Sequence, residues 1–356
     1  MHLNGGEVPK DYKTYTGKKV SIIISGIVVL FLLLILSISV GAVNIPFYDV
    51  FQTIFFQHES DQWYAIIWNI RLPQALTGIV AGAGLAVAGV AMQSILRNPL
   101  GSPYTLGISN AAAFGAAFSV IILGTGTMHS TGSDAIVLNN PYVTTIMAFI
   151  FCLIATAIIL MISKVRGSSP EVMVLAGVAI GSLFTAGTMF LQYFADDNQL
   201  AAVVFWSFGD VSRADWGELT LMAIVTILCS AYFIYNMWNY NAIDAGDETA
   251  KGLGVNVERI RLVGMVVSSF LSAIIVSFLG VIGFVGLVCP HITRRIIGDD
   301  NRFLIPGTIV AGGILLLASD TVARLILAPH VLPVAILTAF MGAPVFIYLL
   351  IKGYAR

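Results

Sequence analysis

Long apolar runs broken by short polar punctuation dominate the chain from Val20 onward. They predict ten membrane spans, at 20–41, 72–96, 103–123, 143–163, 171–194, 217–237, 261–282, 284–297, 304–326 and 332–351. A helix crossing a hydrocarbon core of about 30 Å needs about 20 such residues. Read as one helix, 261–297 would be about 55 Å long, so the chain is expected to bend back around Gly280, Gly283 and Gly286. The piece 284–297 is short, and a partial or strongly tilted helix buried among its neighbours is an alternative to a full crossing. Ahead of the first span lies a polar tail, 1–19, and 20–356 reads as a single transmembrane domain whose one long inner loop is 238–260. The run 20–40 carries no small-residue cleavage signal after it, so it is expected to be a span and not a removable signal peptide.

Composition points the same way. Apolar residues (AVILMFWYC) make up 58% of the 356 positions and charged residues only 10%, against about 45–50% and 25% in soluble domains. Too few charges remain to cover a water-exposed globule, so the chain is expected to be an all-α membrane protein. Basic residues then set its orientation. With the N-terminus inside, the inner side collects 15 of the 18 Lys and Arg, leaving Arg71, Arg213 and Arg324 outside. Both termini are therefore expected in the cytoplasm. No basic face suited to nucleic acid is present. Cys152, Cys229 and Cys289 each lie in an apolar run without Cys or His spacing for a disulfide or a zinc site.

Several stretches carry candidate chemistry. The second span places Gly78, Gly82, Gly84 and Gly89 among alanines, a spacing that lets helix backbones approach closely. It either packs tightly within the subunit or lines a solute path. After it, 97–103 is too rich in Pro for a helix, and such backbone survives at the membrane edge only if buried in protein or lining a cavity; it is a gate or an ordinary turn. The loop 164–170 has the same character. The loop 238–260 predicts two short helices, the first capped by Asp244 or Asp247 and ended at Gly252 or Gly254, the second capped by Asn256. Its amphipathic pattern suits a membrane surface or a soluble protein partner. At the outer edge Asp320 and Arg324 can pair at i, i+4, or the lone outer arginines can dock an acidic protein surface. Phe114, Phe118, Met189, Gln192 and Tyr193 are candidates to face a bulky solute.

Absences narrow the function. No span carries a charge near its middle, which disfavours a proton- or sodium-coupled carrier. HExxH and GxSxG are missing, and so is a GxxxxGK[ST] phosphate loop. The chain is thus expected not to be an enzyme; any ATPase driving it is another chain.

Two regions resemble one family. They are Arg71-Leu72-Pro73 with Gly84, Gly89, Gln93, Arg97-Asn98-Pro99-Leu100 and 103–107, and 283–294 (GFVGLVCPHITR) with 320–324, Leu332-Pro333 and Gly342-Ala343-Pro344. The pattern resembles the FecCD family of binding-protein-dependent ABC import permeases. That resemblance implies a type II ABC importer permease fold of ten helices, working as a homodimer in the cytoplasmic (inner) membrane. Two cytoplasmic ATPase subunits, which bind the ATP and Mg, would sit below, and an extracytoplasmic solute-binding protein would dock above. The chain itself would hold no cofactor. By motif position, Asp247, Glu248, Ala250, Leu253 and Gly254 correspond to ATPase-coupling residues. Asn98, Leu100, Ser168 and Ser169 correspond to cytoplasmic gate loops, and Arg71 and Arg324 to binding-protein docking. Gln74 departs from the family, which often has a second Arg there, so one docking charge is absent or supplied by Arg213. The cargo implied is an iron–siderophore, haem or cobalamin, with molybdate or tungstate as the alternative.

Overall fold

A computed structural model describes residues 10–41, 43–55, 60–125, 141–165, 169–327 and 330–353. Among them every regular element is a helix. In chain order the helices are α1 (Lys10–Ser39), α2 (Phe47–Ile54), α3 (Asp61–Ile66), α4 (Leu72–Ile95), α5 (Ile108–Ile121), α6 (Pro141–Val165), α7 (Pro170–Tyr193), α8 (Asp197–Ser207), α9 (Trp216–Tyr235), α10 (Met237–Asp244), α11 (Asp247–Gly252), α12 (Val257–Leu279), α13 (Val285–Ile297), α14 (Asn301–Ile326) and α15 (Val334–Gly353). Seven of these are long and apolar enough to cross a membrane. With α5, α13 and α15, each of the ten predicted spans has a helix.

Local chemistry sets the boundaries. Asp196 and Asp215 build reciprocal capping boxes with Gln199 and Glu218 at the starts of α8 and α9, while Ser169, Asn256 and Asp300 cap α7, α12 and α14. The first helix begins at Lys10, so the described part of the polar tail continues the span instead of standing apart from it. The third span starts later than its apolar run, because Pro103 and the left-handed Gly107 (φ +75°) hold 98–107 out of the helix. The expected bend after the seventh span occurs at Gly280 (φ +81°). At 13 residues, α13 is about 20 Å long, too short to span a 30 Å core without strong tilt.

The second-span helix, α4, is the strut of the bundle, packed against α9, α12, α13 and α14. Its glycines explain this. A Cβ on Gly82 would collide with the carbonyl of Gly312 in α14, and one on Gly89 with the carbonyl of Gly286 in α13. Lipid offers no hydrophobic drive for helix association, so close backbone contact carries the packing. On the other side of the bundle, α5 packs against α6 and α7. Among the described residues, the Lys and Arg other than those at 71, 213 and 324 gather at the end of the bundle where α4 finishes, here the basic end.

Candidate functional site

Two pieces of irregular backbone meet inside the bundle. One is 97–107, which runs from the end of α4 back into the helical layer; the other is 280–284, between α12 and α13. They touch at Tyr104 and Phe284, whose rings stack with centroids 6.4 Å apart. Phe284 is held at φ +67°, a conformation that a bulky residue keeps only when its surroundings over-determine it. A Cβ built on Gly286 would lie 2.8 Å from the Leu85 carbonyl oxygen and 3.6 Å from Pro103. Leu85 lies ten residues, about 15 Å, before the end of α4, so this seam is deep in the layer. Backbone of this kind at membrane depth must be buried in protein or face a cavity.

It does face one. A cavity of about 390 Å³ opens beside Tyr104 and Gly107, walled by Asn110 of α5 and by Gly181, Ser182 and Met189 of α7. The amide of Asn110 donates to the Gly181 carbonyl at 3.3 Å, bringing the two helices together where neither Gly107 nor Gly181 has a side chain. Along α7 a continuous exposed stripe runs through Leu175, Val178, Ser182, Ala186, Met189 and Tyr193. Of the residues expected to face solute, Met189 and Tyr193 are on this stripe, Tyr193 at 82% exposure. Phe114 and Phe118 are not; they form a cluster with Phe151 and Phe184 at 4.9–6.4 Å, packed between α5, α6 and α7. The sequence singled out neither Tyr104 nor Phe284 individually, since the seam exists only through their contact.

At the basic end the gate candidates are partly in view. The Asn98 carboxamide accepts from the Leu100 amide at 2.9 Å, a local turn, and Leu100 is exposed. Ser169 caps α7 and donates to Glu171 at 2.8 Å. Ser168 lies outside the described residues.

The loop 238–260 does fold as short helices, with two corrections. Asp247 does not cap α11, whose N-cap is Gly246; its carboxylate instead accepts from Arg261 at 3.0 and 3.2 Å. Ala250 is fully buried against Ala242, Ile243 and Val257, so it holds α11 onto its own chain and offers no surface to a partner. Glu248, Leu253 (70% exposed) and Gly254 remain on the outside, with Glu248 pairing with Lys251 at 2.9 Å. That ion pair raises the Lys251 ammonium above its ordinary pKa.

Of the arginines at the opposite end, Arg71 and Arg324 are turned inward, while Arg213 stays exposed. Arg71 is buried, donating to the carbonyls of Ile38 (2.7 Å), Ser39 (3.0 Å) and Val43. Arg324 pairs with Asp320 at 3.0 Å and donates to the Ser37 hydroxyl at 2.6 Å, and Gln74 completes the group through Asp320. Arg213 donates to Phe205, Trp206 and Phe208 carbonyls. Free docking charge was expected of Arg71 and Arg324; the structure instead spends both on the C-terminal carbonyls of α1, where orphan acceptors and the helix dipole favour cations.

Residues 29–352 match the FecCD transport family. The chain is 54% identical to an ABC transporter permease protein of Methanocaldococcus jannaschii, over 98% of this chain and 99% of that one. It is 35% identical to a hemin transport system permease of Yersinia pestis, covering 90% and 94%, and 33% identical to an Fe(3+)-citrate import system permease of Bacillus subtilis, covering 89% and 90%. Among solved structures, an inward-facing metal-chelate type ABC transporter superposes with a TM-score of 0.80 at 29% identity, covering 93% of this chain and 99% of that one.

Proposed function

The chain belongs to the FecCD transport family, and from that premise we propose that it is one half of the membrane conduit of a metal-chelate importer. It is an ABC importer permease, and two copies would enclose the path between their α7 stripes. The carrying observation is the deep irregular seam at Tyr104 and Phe284 beside a wall of α7 that none of the described residues covers. The basic end would face the cytoplasm. There Glu248, Leu253 and Gly254 would meet a separate ATPase, which binds the ATP and Mg, and Asn98, Leu100, Ser168 and Ser169 would close the path. A solute-binding protein would dock at the opposite end. Nucleotide would shift the two copies between outward and inward access through its different affinity for the two states. Relatives named for hemin, Fe(3+)-citrate and vitamin B12 support an iron chelate, haem or a corrinoid as cargo.

Co-reconstitution with the ATPase and binding protein tests this reading. Vesicles should take up one of haem, ferric citrate or cobalamin only with ATP, and Leu253→Arg should abolish uptake while the dimer stays folded. Uptake by this chain alone under an ion gradient would overturn it.

A further inference from the structure

The second turn of α12 carries a guanidinium that joins three elements. Arg261, 4% exposed, donates through Nε to the carbonyl of Ile95, the last residue of α4, at 2.9 Å. Its Nη2 donates to both carboxylate oxygens of Asp247, the first residue of α11. The same carboxylate faces the Arg97 guanidinium at 3.9 Å. Arg97 turns the chain out of α4 into the loop that leads to Tyr104, and it does so at φ +46°, unusual for a residue with a side chain. Glu171, in the first turn of α7 beside Ser169, stands within electrostatic range of both Arg261 and Asp247. A separate tie, from Asp244 to Ser94 (3.0 Å) and Asn301 (2.8 Å), anchors α10 but does not reach this loop.

We propose that Arg261 and Asp247 are positioning residues that transmit displacement of α11 to the segment 97–107. The proposal rests on the reading of α11 as the ATPase contact and goes beyond it by naming the route. Nη2 bridges both carboxylate oxygens of Asp247 while Nε holds the Ile95 carbonyl, so one guanidinium ties α11 to the end of α4 through charge-assisted hydrogen bonds. A buried Arg261 that lost Asp247 would lose its hydrogen-bonded counter-charge and keep Glu171 only at electrostatic range, so breaking the link is costly. Through the Ile95 carbonyl and Arg97 the same motion re-aims the start of the gate loop, whose left-handed turn persists only while these contacts hold it.

Hydrogen exchange on the purified permease in nanodiscs tests the link without any ATPase. Asp247→Asn, which keeps the shape but removes the charge, should speed exchange of the 98–106 amides at least tenfold while α9 is unchanged. Arg97→Ala, at a half-exposed side chain, should do the same. In vesicles with the ATPase, Arg97→Ala should keep co-purification with it and lower solute imported per ATP hydrolysed at least tenfold. Unchanged exchange in both variants, or a normal import ratio in Arg97→Ala, would overturn the proposal. Absence of ATP-driven import by the unmodified protein would count against the reading of function and leave the exchange result to decide the link.

Discussion

Helices α4 and α7 have the same length, 24 residues, and nearly the same mean hydropathy, 2.0 for the span containing α4 and 1.9 for α7. Their surroundings are opposite. In the apolar window, 83% of the α4 span is buried and only 28% of α7. Both contain glycines, but those of α4 meet backbone on more than one side, from α13 and α14, whereas Gly177 and Gly181 of α7 meet only the 106–110 turn and leave the far face open. Apolarity therefore says that a helix is in the membrane, not what covers it. One helix holds the subunit together; the other leaves a face that none of the described residues covers.

Substitutions sharpen this contrast. Gly89→Val drives a branched side chain into the Gly286 carbonyl and the α4 to α13 contact, at a cost above about 5 kcal/mol. No folded protein should be recovered by size-exclusion chromatography. Next comes Arg71→Ala, which strips donors from the end of α1 and should cost about 3 kcal/mol, read as a lower thermal midpoint in detergent. If Arg71 were a docking charge instead, stability would hold and only affinity for the binding protein would fall. The cap Asp300 is a smaller case. Burial pushes its carboxyl up, but hydrogen bonds from Arg302 and Asn241 outweigh this and hold it at about 2. Its contribution is thus full above about pH 4 and is lost as pH falls toward 2. Asp300→Asn should cost about 1 kcal/mol at neutral pH and flatten that acid limb in thermal melts. Ser182→Trp on the α7 stripe should change stability least, by under about 0.5 kcal/mol, yet cut uptake at least tenfold by filling the cavity.

Much of the fold was legible because apolar runs report membrane depth directly. The bend at Gly280 was legible for a similar reason, since a run of that length cannot be one straight helix. What the sequence hid were contacts between distant positions. Arg71 looks like an outer charge until the carbonyls of Ile38 and Ser39, some thirty residues earlier, come within reach. Asp247 looks like a helix cap until Arg261, fourteen residues later, takes its carboxylate. The late start of α5 was hidden inside an apolar run, although Pro103 and Gly107 were there to signal it. Phe114 and Phe118 had the chemistry of a cavity lining but sit on the face of α5 that meets α6.

The wall assignment is tested most directly by cysteine labelling at Ser182. The native cysteines 152, 229 and 289 are buried, so the background is low. In vesicles carrying the whole transporter, Ser182→Cys should react with a water-soluble, membrane-impermeant thiol reagent, at a rate that changes when the ATPase is locked with a nucleotide analogue, while Leu183→Cys beside it should not follow that change. A cysteine at 182 that stays unlabelled in every nucleotide state would contradict the conduit.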